Sequence, residues 1–147
     1  MSHVVTIELE VKDLEALAKA ARDLGAELVR DQKTFRWYGR WMNDYSADNA
    51  AYRQGISPKD YGKCDHIIRH PKCSYDVGLI RQSNGSYRVV ADEWQAGGLA
   101  SVFGQGMQKL KQRYGVAVAA RTMRKQGWQV TEKAQANGDV RLVCMRS

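Results

Sequence analysis

The sequence predicts an α+β fold: one domain, with an antiparallel or mixed β-sheet packed on one face by an N-terminal helix and a C-terminal helical pair. Three patterns carry that reading. Val5, Ile7, Leu9 and Val11 alternate with Thr6, Glu8, Glu10 and Lys12, the period of a strand with one buried and one wet face. Leu14, Leu17, Ala18, Ala21 and Leu24 follow at helical spacing. Farther on, two apolar-rich runs between Tyr75 and Trp94 flank Asn84-Gly85, a strong short-range hairpin signal.

The elements follow in order. Asp13 stands where a helix N-cap belongs, and Gly25 supplies the C-terminal stop. A strand from Ala26 to Arg30 should return beside the first, with Thr34 to Tyr38 continuing the sheet. Across a long irregular stretch at about 39–63 the periodic signal disappears. There Trp41, Tyr45, Tyr52 and Tyr61 stand among Asp, Asn, Ser and Gly, with Pro58 as a breaker. A connection of that length is more often functional than idle.

If Asn84 and Gly85 are the two central turn residues, Leu79 lies opposite Val90, Ile80 opposite Val89 and Asp76 opposite Glu93. Apolar pairs then fall on both faces, so the hairpin is expected to be covered on both sides. Asp76 beside Glu93 places like charges together, an arrangement that calls for a cation, a basic side chain or a shared proton between them.

In the last third, Phe103, Met107, Leu110, Tyr114 and Val118 form one apolar stripe that would run on into Arg121 and Lys125. Val116, Ala119, Ala120 and Met123 form another on a nearly opposite side. A break near Gly115 would reconcile the two. After Gly127 comes a second hairpin. Val130 joins the face of Val140, Leu142 and Cys144 only if the Asn137-Gly138 loop is odd in length, with a glycine bulge. Helix, glycine and strand succeed one another at Leu24-Gly25 and again at Gln126-Gly127, with too few matches to define a repeat.

Composition sets the outer bounds. An apolar fraction of 44% with two prolines in 147 residues indicates a folded globule. No apolar run approaches bilayer length and no secretory signal is visible, so no membrane association is expected. Three cysteines fit a reducing, cytoplasmic setting better than a disulfide scaffold. The formal charge of +7 favours an acidic partner, nucleic acid or protein, and leaves the oligomeric state open.

The chain also resembles a known family. The resemblance rests on Met1-Ser2-His3, Thr6-Ile7 leading to Asp13-Leu14, Tyr75-Asp76-Val77-Gly78, Gly85-Ser86-Tyr87, Asp92 with Trp94, Tyr114, Gly127 and the run Gly138 to Val143. Together these resemble the domain of unknown function 1257 family of cyanobacteria, algal plastid genomes and tailed bacteriophages. The long middle stretch and the Gly62-Lys63-Cys64-Asp65-His66 run look more like its phage-type members. No established activity comes with the family, so the resemblance transfers no catalytic residue. It implies a stand-alone accessory or regulatory protein, sometimes encoded near an ATPase of the AAA type.

Two functional readings follow. In the first, the protein is a non-enzymatic binding or regulatory protein, plausibly phage-encoded and working in the host cytoplasm. It docks on an acidic partner through Arg36, Trp37, Arg40, Trp41, Tyr52 and Arg53, whose rings and cations can stack on bases and pair with phosphates. Lys109, Arg113, Arg121, Arg124 and Lys125 of the helical pair complete that surface. In the second, Asp76, Glu93, Asp92, His66 and Asp65 form the site of a small enzyme or ligand-binding domain, with a divalent cation as one option. Cys64, His66, His70 and Cys73 have a metal-like spacing, but four residues of strand separate the two histidines by about 13 Å. No Walker-type or dinucleotide loop accompanies Gly97-Gly98 or Gly104-x-Gly106, no nucleophile elbow is present, and no cofactor is expected.

Overall fold

The structure, a computed structural model, describes residues 4–37, 62–93 and 97–146. It is α+β. Strands β1 (Val4–Val11), β2 (Glu27–Arg30), β3 (His66–Arg69), β4 (Val77–Arg81) and β5 (Tyr87–Asp92) form one antiparallel sheet in the order β1-β5-β4-β3-β2. Helix α1 (Leu14–Asp23) joins β1 to β2, which lie at opposite edges. The expected return of β2 beside β1 is therefore corrected. β5 takes that place, and β2 pairs with β3 instead. After β5 come a short helix α2 (Leu99–Phe103), a single 3-10 turn (Gln105–Met107) and the long helix α3 (Gln108–Lys125). Strands β6 (Trp128–Ala134) and β7 (Val140–Arg146) close the chain as a separate two-stranded ribbon.

Local chemistry accounts for most boundaries. The Asp13 carboxylate accepts the Ala16 N–H at 3.1 Å and so caps α1. Tyr114 of α3 presents its hydroxyl to the N–H groups of Lys12 and Asp13 at 3.0 and 3.2 Å. Arg121 of the same helix pairs with Asp13 at 2.8 Å, so α3 locks the start of α1 from outside. Gly25 and Gly127 both adopt positive φ just past their helices, the conformation that a Cβ disfavours.

One apolar layer fills the space between sheet and helices. Ile7, Val11, Ile68, Val77, Leu79, Val89 and Ala91 face Leu17, Ala20 and Ala21 of α1, Leu99 and Phe103 of α2, and Leu110 and Tyr114 of α3. The other face carries Val4, Ile67 and Val90, covered by Phe35 and Trp37. Both faces of the central strands are thus buried, as the apolar pairs implied. Thr34 to Tyr38 does not continue the sheet as a strand. Among its described residues only Thr34 makes a bridge, to Lys63.

The first hairpin corrects the expected register. Leu79 pairs with Val89 and Gly78 with Val90, one residue away from the two-residue-turn alignment. Gly85 donates to Gln82 O at 3.0 Å, and Gln82 donates to Ser86 O at 2.8 Å. Ser83, Asn84 and Gly85 therefore form a three-residue loop with Gly85 in the left-handed region at φ 85°. The second hairpin repeats this design at Ala136, Asn137 and Gly138, as expected there. Even the accessory bonds match: Asn84 Oδ1 accepts the Ser86 N–H and Asn137 Oδ1 the Asp139 N–H, both at 3.0 Å.

The conflict between the two stripes of the last helix is also resolved differently. Gly115 lies inside a continuous α3, and the chain turns earlier, where Gly106 and Met107 have φ of 62° and 63°. Val116, Ala120 and Met123 of the second stripe lie along the side of α3 that carries Gln112, and none is fully exposed, whereas Ala119 of that stripe is exposed. Gln112 donates to Asp139 of the second hairpin at 3.2 Å, which places the ribbon on that side. A second partner, and no break, accounts for the second stripe.

Two glycine substitutions test this packing. A Cβ at Gly78 would stand 2.6 Å from Phe35 Cδ1 and 2.9 Å from Val90 Cγ2, whereas one at Gly115 would meet nothing within 4 Å. Urea denaturation is expected to show G78A destabilised by about 1–3 kcal/mol and G115A stabilised by about 0.5–1 kcal/mol.

Candidate functional site

Of the carboxylates proposed as one site, Asp76 and Asp65 are bonded to different partners. Asp76 is buried, and its oxygens accept from Arg36 Nη2 at 2.8 Å, from Arg36 Nε at 3.1 Å and from the Arg36 backbone N–H at 2.9 Å. Continued beyond Gly78–Val90, the corrected register sets Asp76 level with Asp92, not Glu93. Asp92 is buried too, while Glu93 is half-buried. Asp65 accepts the Arg81 N–H at 2.7 Å and has Lys33 at 3.6 Å. A shallow open groove of about 430 Å³ beside the irregular stretch of β1 is lined by Glu10, Gln82 and Arg88 among others, and by none of these acids.

His66 serves a turn. Its Nδ1 accepts the Asp31 N–H at 2.9 Å, so the neutral ring carries its proton on Nε2. That bond holds Asp31 at φ 61°, a left-handed conformation uncommon outside glycine. Burial lowers the imidazole pKa. The Asp31 and Asp65 carboxylates oppose the shift, and Arg30 and Lys33 add to it.

The four residues with metal-like spacing are divided among different surroundings. Cys64 belongs to the Phe35–Trp37 layer and donates to Gln32 O, whereas Cys73 belongs to the helix-side core. His70 accepts the Lys72 N–H and stands edge-on to Phe103. Among the described residues no group of three or more His, Cys, Asp or Glu side chains could hold a metal ion. Burial pushes the Cys64 thiol up to about 12, which leaves it protonated and unreactive at neutral pH.

The expected binding surface is reorganised in the same way. Trp37 is 1% exposed, so its ring is not presented for stacking, and Arg36 is paired with Asp76. Arg40, Trp41, Tyr52 and Arg53 lie outside the described residues. On α3, Lys109, Arg124 and Lys125 are exposed, and Arg113 and Arg121 are half-buried. Arg121 is held by Asp13, and Arg124 donates to Val130 O at 3.2 Å.

Residues 101–147 carry nine Lys and Arg against two acids, so the whole formal charge of +7 resides there and the first hundred residues are balanced. Both acids are engaged: Glu132 with Lys19, and Asp139 with Gln112 and Asn137. Among the described residues, Arg121 alone of the nine cations has a carboxylate within ion-pair distance. Lys133, Arg141 and Arg146 of the ribbon belong to this set and were not singled out from the sequence. A count of charge by thirds would have found them.

These features define a small α+β protein whose net charge is concentrated in its last third. The profile of the family described as "Protein of unknown function (DUF1257)" matches residues 20–143, and the chain belongs to that family. We found no match among curated proteins or among solved structures. No helix among the described residues is long and apolar enough to cross a membrane.

The His66 bond sets a pH dependence. Its folded-state pKa lies below the unfolded value of about 6.5, so as pH falls through that value the unfolded chain takes up the proton first. The stability contributed by His66 is complete above pH ~6.5 and is lost as pH drops toward the folded pKa. Urea midpoints between pH 7.5 and 5 should fall more steeply for the wild type than for H66Q. Parallel profiles would contradict this.

Proposed function

We propose that the protein is a non-enzymatic binding protein, accessory or regulatory in role, that docks on nucleic acid through its basic C-terminal third. The observation that carries this reading is the set of nine cations in that third, of which Arg121 alone is neutralised among the described residues. Cations that neutralise no acid of their own fold raise the local potential and attract a polyanion. The cations elsewhere more often have structural partners: Arg36 with Asp76, Lys19 with Asp23 and Glu132, Arg30 with Glu15. Binding by such a surface needs neither cofactor nor catalytic group. The resemblance of the middle stretch and of Gly62 to His66 to phage-type members supports a phage-encoded protein acting in the host cytoplasm.

Phosphate contacts release condensed counterions, so affinity for nucleic acid should fall steeply with salt. Retention on immobilised DNA at ~50 mM salt and loss of most of it by ~200 mM is the expected result. No retention at low salt would overturn the nucleic-acid reading and leave an acidic protein as the partner.

A further inference from the structure

The ribbon β6–β7 has one covered and one open face. Trp128, Val130, Glu132, Leu142 and Cys144 are half-buried, and Glu132 reaches Lys19 of α1 at 2.9 Å, so this face is turned to the helices. Gln129, Thr131, Lys133, Arg141 and Met145 alternate with them and are exposed, with half-buried Val143 opposite Thr131 on the same face. The register sets Lys133 directly opposite Arg141 on the open face. Like charges in direct cross-strand register weaken a sheet, and a two-stranded ribbon has little stability to spare. The hairpin supplies no relief, because Glu132 points to the other face and the Asp139 oxygens are taken by Gln112 and Asn137. Among the described residues no carboxylate lies within ion-pair distance of either cation.

We infer that the open face of this ribbon is the seat for the backbone of a nucleic-acid duplex, with Lys133 and Arg141 gripping neighbouring phosphates; this rests on the binding function proposed above. Bound phosphate removes the repulsion that the free ribbon carries. The face bears no aromatic ring on which an unpaired base could stack. Gln129 and Thr131 offer hydrogen-bonding groups beside the cations, and two strands about 4.8 Å apart fit within a major groove ~12 Å wide.

The test is fluorescence anisotropy with a labelled 20-base-pair DNA duplex and a 20-nucleotide dT strand across a salt series. The proteins are the full-length wild type, K133Q/R141Q, and R69Q/K72Q, which loses the same charge outside the last third. Two phosphate contacts at ~0.9 each predict that K133Q/R141Q lowers the slope of log K against log salt by about 1.8 and weakens duplex binding roughly tenfold or more at 0.1 M salt. The R69Q/K72Q slope should stay near wild type. K133E places opposite charges face to face, so its melting temperature should rise while duplex binding falls, which separates lost binding from lost folding. If the wild type binds the duplex and K133Q/R141Q keeps its slope, the ribbon seat is overturned and the binding function stands. Tighter binding of the dT strand than of the duplex also overturns the seat. If the wild type binds neither nucleic acid, the proposed function falls with it.

Discussion

The contact between Arg36 and Asp76 is the constraint on which the architecture turns. A sheet whose central strands are apolar on both faces needs two covering layers. The helices supply one. The other depends on Phe35 and Trp37, which lie in a short segment without regular structure of its own. That segment is tied by its pairing with residues 62–64 and by Arg36, whose backbone N–H and guanidinium both donate to one carboxylate. The Asp76 N–H donates back to Arg36 O at 3.1 Å, so the two residues clasp in both directions. The Asp76 side chain is 3% exposed and Arg36 33%, so the desolvation cost falls mainly on the carboxylate. Three nitrogen donors offset it.

This clasp also gives the Asp76 carboxylate a partner outside the proposed acidic cluster. Asp76 reads from the sequence as a carboxylate in search of a cation, and it has one, from a segment forty residues earlier. The same economy governs Asp13, which caps a helix, His66, which closes a turn, and Asp65, which accepts the N–H at the end of the neighbouring strand. Within the last third both acids are engaged and the uncommitted charge among the described residues is positive. The separation of charges that hold the fold from charges that neutralise nothing within it is the physical basis for reading the last third as the working surface.

Much of the fold was legible because local chemistry and pattern agreed. Asp13 caps its helix, Gly25 ends it, and Val5 to Val11 alternate into one core. The odd loop of the second hairpin followed because only one register put Val130 beside Leu142 and Cys144. The first hairpin has the same Gln-x-Asn-Gly loop, yet its register could not be read. Both of its faces are apolar, so a shift of one residue left the pattern equally satisfied. The position of β2 at the far edge depends on three strands that come later in the chain, which no local signal encodes. The two stripes of α3 required knowing that the ribbon packs against the helix.

The site was less legible for a related reason. Arg36 and Trp37 look like a basic-aromatic surface pair, and burial of one and pairing of the other appear only when the sheet is assembled. Lys133 and Arg141 look like ordinary outward residues of two strands until the register sets them face to face. The direct test of the central claim is a double-mutant cycle on Arg36→Met and Asp76→Asn, read by urea denaturation. The clasp predicts that the single substitutions are not additive, with a coupling energy of about 1–3 kcal/mol. Additivity within about 0.3 kcal/mol would show that the covering layer is held without it, and would contradict the account.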